Sequence, residues 1–276
     1  MENSAENSYP LSPMQEGMLF HSLRAPRAGF DIEQVVVSLR ELLDASSLRR
    51  AWEKVVQRHA TLRVCFRWEG LPTPTQTIRP LDRLPFNQLD RRGLSRADQE
   101  TQLRDFLQED RRQGFRLDDA PLHRLTLFRF AETDYRLVWT VHHALLDGRS
   151  FPLVLKEVFA CDEALRRGED LELPRPRPYR DYVDWLQGLD LAPAEAFWRR
   201  LLHGFISSTP LLAKPALDAE TGQVGPPIEL ETRLGSELTE ALGTLARATG
   251  VTLNTLCWRA TTSLWLTTKT ACRCWM

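Results

Sequence analysis

Apolar and polar positions along this chain follow two periods, and each change of period marks an element. Ser12-Pro13-Met14-Gln15 predicts a helix start: Ser12 can cap, proline suits the first helical position, and Gln15 completes a capping box. That helix runs to about Leu23. Residues 35–39, Val-Val-Val-Ser-Leu, are β-branched and predict a strand. Asp44 can cap a second helix, in which Leu48, Ala51, Trp52, Val55, Val56 and His59 recur at helical spacing. Leu62, Val64, Phe66 and Trp68 then alternate with Arg63, Cys65 and Arg67, which predicts a strand carrying Arg63 on its second face. Residues 72–85 read as a loop with a short strand at 75–78. Ser95 opens a third helix with Leu103, Phe106 and Leu107 inward. Residues 122–130 and 135–141 are apolar strands joined by Ala131-Glu132-Thr133-Asp134, a plausible hairpin connection. Ser150 and Pro152 start a further helix that ends near Arg167. Trp52, Phe66 and Trp139 are expected in the core.

Beyond that point the pattern breaks. Leu173-Pro174-Arg175-Pro176-Arg177-Pro178 cannot continue a helix and marks a boundary. Helices follow at about 179–187 and 193–202, then a loop at 210–227, a strand at 228–233, a helix at 236–249, and another from Thr252. The expected organisation is a first lobe over 1–172, a connector over 173–227 and the start of a second lobe over 228–276.

Composition narrows the class. The chain has 276 residues, 42% hydrophobic and 26% charged, which suits a soluble globular protein of one or two domains. Net charge is −1, so no basic excess points to nucleic acid. No apolar run reaches the ~20 residues of a membrane span. The N-terminal residues, Met-Glu-Asn-Ser-Ala-Glu, lack the layout of a signal peptide, and the expected compartment is the cytoplasm. Five cysteines do not suggest a disulfide framework, and the histidines do not fall in a metal-ligand pattern with them. Neither a P-loop, a Gly-x-Gly-x-x-Gly, a His-Glu-x-x-His nor a Gly-x-Ser-x-Gly elbow occurs.

Candidate chemistry concentrates in His142-His143-Ala144-Leu145-Leu146-Asp147-Gly148, where an apolar strand gives way to a loop. Alternation would put His143 on the face of Tyr135, Leu137, Trp139 and Val141, with His142 on the other. One ring can therefore project into a cleft while its neighbour is packed.

This stretch resembles the His-His-x-x-x-Asp-Gly motif of nonribosomal peptide synthetase condensation domains. Leu11-Ser12-Pro13-Met14-Gln15-Glu16-Gly17-Met18-Leu19-Phe20-His21 is similar to that family's first motif, Arg58-His59-Ala60-Thr61-Leu62-Arg63-Val64-Cys65-Phe66 to its second, and Tyr179-Arg180-Asp181-Tyr182-Val183-Asp184-Trp185 to its fourth. The order is right and the resemblance spans residues 9 to about 256. It implies an α/β, chloramphenicol-acetyltransferase-like fold, with a complete N-terminal lobe and part of a C-terminal one.

The resemblance also implies an amide-forming acyltransferase. The amine of one carrier-bound aminoacyl thioester attacks the carbonyl of another, each substrate hanging on a phosphopantetheine arm in a tunnel between lobes. The implied partners are upstream and downstream peptidyl carrier domains and adenylation neighbours, with no nucleic acid, membrane, metal or bound cofactor. His143 is the implied catalytic residue, as a base toward the attacking ammonium or as a stabiliser of the tetrahedral intermediate. His142, Asp147, Gly148 and Arg63 are implied supports. Asp147 would pair with Arg63, so that truncating it would cost about 3–5 kcal/mol, and Gly148 would permit close backbone approach.

Some positions depart from the pattern. Ala60 stands where the second motif usually has Glu, and Arg149 where many members have Trp. Epimerisation domains share the histidine motif but open differently. From Cys257 the character changes: residues 257–276 hold three of the five cysteines and three of the eight tryptophans. That segment reads as a shifted frame or truncated product, and little condensation activity is expected of the isolated chain. The alternatives are a non-catalytic remnant that binds carrier proteins, and a stand-alone acyltransferase using a soluble thioester.

Overall fold

A computed structural model describes residues 7–24, 29, 31–206 and 232–268. The chain divides into two compact units, one ending at Asp190 and one beginning at Leu191.

The first unit is built on a four-stranded sheet whose members are β2 (Ile32–Leu39), β5 (Phe86–Asp90), β6 (His123–Arg129) and β7 (Tyr135–His142). Their order across the sheet is β2-β7-β6-β5. β7 is antiparallel to both of its neighbours, and β5 runs parallel to β6. A second, antiparallel sheet sets β4 (Thr75–Ile78) between β1 (Ser8–Pro10) and β3 (Val64–Arg67).

Alternation along β7 divides the main sheet. Leu137, Trp139 and Val141 belong to the principal core, with Leu48, Trp52 and Val55 of α2 (Ala45–Arg58) and Val154 and Val158 of α4 (Ser150–Arg166). Trp52 and Trp139 meet edge to face at 4.8 Å, and Phe151 meets Trp139 at 5.2 Å. Such contacts add about 0.5–1.5 kcal/mol each beyond the area they bury. On the opposite face Val138, Phe128 and Phe130 form a smaller cluster with Leu103, Phe106 and Leu107 of α3 (Arg96–Gln113). A buried polar group shares that face. Asp110 accepts from Arg124, from Thr140 Oγ1 and, at 2.8 Å, from Gln34 Nε2, which ties α3 to three strands.

Helix starts follow the sequence. Ser12 and Gln15 form the expected reciprocal box at the head of α1 (Pro13–Arg24), Asp44 accepts from the amides of Ser46 and Ser47, and Ser95 accepts from that of Asp98. Two expectations need correction. Residues 62–68 are not one strand: Leu62 N–H bonds His59 O, so residues 60–63 form a 3₁₀ turn and β3 begins only at Val64. Arg63 therefore sits in that turn rather than on a strand face. The strands β1 and β5 carry no alternation that predicts them.

The first unit reaches beyond residue 172 to take in α5 (Tyr179–Gln187), whose Val183 is buried and whose Tyr179 hydroxyl bonds Ser12 Oγ at 3.1 Å. The second unit contains α6 (Ala192–Leu201), α7 (Ser236–Thr249) and α8 (Leu253–Thr268). The strand expected at 228–233 lies largely outside the described residues. No helix among those described is long and apolar enough to cross a membrane.

Candidate active site

β7 ends at His142, so His143 is the first residue of the loop rather than a continuation of the alternating face. Its backbone still follows β2: His143 N–H donates to Asp31 O at 2.7 Å. The His143 ring is half-buried, and its Nδ1 lies 2.8 Å from Leu146 O. A carbonyl only accepts, so Nδ1 carries the hydrogen, and in the neutral form of the ring Nε2 has the lone pair. No described residue hydrogen-bonds that Nε2.

His142 is the reverse case. It is buried, and its Nδ1 accepts from Ala144 N–H at 3.2 Å. Nε2 then bears the hydrogen and donates to Ser22 Oγ at 3.1 Å. Burial holds this imidazole neutral, with its pKa pushed down to about 4. The two adjacent rings thus carry their protons on opposite nitrogens. A cavity of about 240 Å³ opens on the His142 side, lined by His21, Ser22, Asp31, Trp68 and Phe115 among others.

The implied supports are placed differently from expectation. Arg63 does not pair with Asp147. Its guanidinium donates to three carbonyls: Val56 O at 3.2 Å, Gln57 O at 3.1 Å and Arg79 O at 2.9 Å. Val56 and Gln57 lie in the last turn of α2, where carbonyls lack helical partners, and the 3₁₀ turn swings Arg63 back onto them. Partial burial pulls its pKa below the usual arginine value. Asp147 is exposed and lies two residues before the N-cap of α4, Arg149; its carboxylate accepts from Ser150 N–H at 2.9 Å and Ser150 Oγ at 2.5 Å. The Ser150 hydroxyl, then the backbone amides, hold its carboxyl below the usual range. Gly148 needs no special backbone room: a Cβ there would meet no described atom within 4 Å, and its φ is not positive.

Of the other motifs, the first reaches the same loop, through Gln15. Gln15 Nε2 donates to Ala144 O at 3.1 Å and exchanges amide hydrogen bonds with buried Gln76. Tyr179 reaches Ser12, so the first and fourth motifs are joined. Burial raises the Tyr179 pKa above its ordinary value. Arg58 and His59 of the second motif both contact Glu157 of α4, at 3.0 and 2.7 Å. Gln76, Glu157, Ser22 and Asp31 carried no signal that sequence reading could use.

Comparison with known proteins bears on what this arrangement does. The family model described as Condensation domain matches residues 5–271, which takes in part of the segment beyond Cys257, as far as residue 271. A linear gramicidin synthase protein of Brevibacillus parabrevis is 41% identical over 253 residues, 92% of this chain and 3% of that protein. Surfactin synthase subunit 3 of Bacillus subtilis is 31% identical over 255 residues, 92% of this chain and 20% of that one. The chain therefore spans a small part of these relatives. Among solved structures, the first condensation domain of the CDA synthetase aligns with a TM-score of 0.75 at 20% identity, covering 97% of this chain and 62% of that one. The starter condensation domain of the rhizomide synthetase RzmA aligns at 0.65 and 20% identity, covering 75% and 50%. The α/β fold expected from the motifs is the fold these structures share.

Proposed function

This chain belongs to the condensation-domain family, and from that premise we propose that it joins a carrier-bound acyl or peptidyl thioester to the amine of a carrier-bound aminoacyl thioester, with His143 at the reacting atoms. The observation that supports this most is the 2.8 Å contact of His143 Nδ1 with Leu146 O: the carbonyl only accepts, so Nδ1 is the donor and Nε2 of the neutral ring is left with the lone pair.

The chemistry asks for little else. A thioester is already activated, and an α-amine of pKa about 7.7–8.0 is partly neutral at pH 7. The amine nitrogen bonds to the thioester carbonyl, and the tetrahedral adduct collapses with loss of the thiolate. The proton shed by the amine passes to the departing sulfur. In the neutral ring Nε2 is an acceptor, so it takes that proton first. Only then can it donate, to the oxyanion or to the leaving thiolate. The tautomer thus favours the base role over initial stabilisation of the intermediate. Positioning two tethered reactants can supply about 7–11 kcal/mol, and general-base help about 10²–10⁴-fold.

The substrates would arrive on phosphopantetheine arms of upstream and downstream peptidyl carrier domains, with adenylation neighbours loading them. Adenylation consumes a nucleoside triphosphate, which suits a reaction in the cytoplasm. Asp147 and Arg63 support the site indirectly, through the start of α4 and the end of α2.

The test loads two carriers and follows amide formation. His143→Ala is expected to cut the rate by about 10²-fold or more. An unchanged rate in the variant overturns the assignment. Turnover of coenzyme A thioesters without carriers would instead favour the stand-alone acyltransferase.

A further inference from the structure

Both histidines of the loop are governed by one residue that no motif contains. Asp31 accepts His143 N–H on its backbone carbonyl at 2.7 Å, and its carboxylate accepts Ser22 Oγ–H at 2.7 Å. Ser22 Oγ in turn accepts from His142 Nε2 at 3.1 Å, and His142 Nδ1 accepts from Ala144 N–H at 3.2 Å. Every donor in this chain has one direction available. A backbone N–H cannot accept and an ionised carboxylate cannot donate, so the hydrogens all point from Ala144 toward Asp31. A single arrangement satisfies the four groups.

From this geometry we propose that Ser22 and Asp31 are positioning residues for His143: the relay Ala144 N–H, His142, Ser22, Asp31 clamps the loop on both sides of His143 and fixes its ring against Leu146 O. The two anchor points are adjacent to the ring in sequence. Asp31 O holds residue 143 itself, and His142 Nδ1 holds residue 144. Leu145 N–H bonds His142 O at 3.0 Å, which sets the turn that brings Leu146 O under the imidazole. If His142 released Ala144, the turn would lose an anchor and Leu146 O its register with Nδ1. His143 would then sample both tautomers, and its lone pair would no longer keep one direction. His142 acts in this scheme without touching substrate.

The inference rests on the reading of His143 given above, and its test is independent of turnover. Histidine-labelled protein is examined above the ordinary imidazole pKa of about 6.5, so that exposed rings are neutral. The ring-nitrogen resonances are assigned by substituting the other histidines in turn. The unmodified chain is expected to show the proton on Nε2 of His142 and on Nδ1 of His143. One shared tautomer at the two rings overturns the relay before any change at Ser22 or Asp31.

Ser22→Ala and Asp31→Ala are expected to abolish the single-tautomer pattern at both rings. Ser22→Thr and Asp31→Asn, which keep the hydroxyl and the acceptor oxygen, are expected to retain it. The inference is overturned if the alanine variants keep the pattern, if the change stops at His142, or if the conservative variants lose the pattern as fully. A shift in melting temperature with the ring signals unmoved marks a purely structural contact and overturns it too. Failure of His143→Ala to slow amide formation would sink the functional reading and leave these signals as they are.

Discussion

His123 predicts an unusual sensitivity to acid. It lies on β6 opposite Val141, is fully buried, and neither ring nitrogen has a hydrogen-bond partner among the described residues. The Leu62 main chain is near enough to favour the charged ring slightly, but burial outweighs it and pushes the pKa down to about 4. Unfolding exposes the ring to water, where the value returns to about 6.5. Between those two values the unfolded chain binds more protons than the folded one, so stability falls as pH falls through about 6.5, and the loss levels off below about 4. Going from pH 7 to pH 5 removes about 2 kcal/mol for this one ring. His142, lowered to about 4 by burial as well, doubles the loss. Against a typical total of about 5–15 kcal/mol, that is a large fraction. His123→Leu removes the proton uptake and breaks no hydrogen bond, and its near-equal volume keeps the packing cost at neutral pH within about 1.5 kcal/mol. Urea titrations of both proteins at pH 7 and pH 5, followed by tryptophan fluorescence, measure the difference. The variant should lose about 2 kcal/mol less on acidification than the parent. Equal losses, within about 0.5 kcal/mol, would refute the reasoning, because all other titrating groups are common to the two chains.

Three further outcomes follow from the site. Asp147→Ala should cost about 1 kcal/mol, as for lost hydrogen bonds to Ser150, instead of the 3–5 of a broken buried pair, by thermal or urea unfolding; because hydrogen bonds lower its folded pKa, this contribution is present above the ordinary carboxylate range and fades as pH falls through the folded value. A double-mutant cycle between Arg63→Ala and Asp147→Ala should give a coupling below about 0.5 kcal/mol, whereas an ion pair would give more. Glu157→Gln leaves Arg58 and His59 without their shared carboxylate and should destabilise the first unit by about 1–3 kcal/mol, read as a lower urea midpoint with unchanged slope.

Much of the first unit was legible because its signals are local. Asp44, Ser95 and the Ser12–Gln15 box sit where capping chemistry puts them, and α2 shows its core face in sequence. β1 and β5 were not legible. β1 is three residues ending in proline, and β5 owes its strand to a parallel pairing with β6 rather than to its own alternation. The error at residues 62–68 has a local cause that apolar alternation conceals: His59 closes a 3₁₀ turn before the strand starts. The motif marked the right loop, but its supports come from far away in sequence. Gln15 reaches Ala144, Tyr179 reaches Ser12, and Asp31 holds His143, with no periodicity linking any of these pairs.

The misplaced ion pair shows how the loop is held. Joining Arg63 to Asp147 would have set one opposite-charge pair beside the histidines, at a desolvation cost of several kcal/mol per ion. The chain instead directs each charge to groups already short of partners: Arg63 to the open carbonyls at the end of α2, Asp147 to the first amide of α4. The loop that carries the two histidines is fixed by backbone, amide, hydroxyl and neutral imidazole hydrogen bonds, with one carboxylate, Asp31, at the far end of the relay. Neutral hydrogen bonds are directional and little screened by salt, so they set orientation more sharply than a Coulombic contact of similar strength. Orientation is what a single imidazole between two tethered reactants requires, since most of the rate advantage there comes from placement.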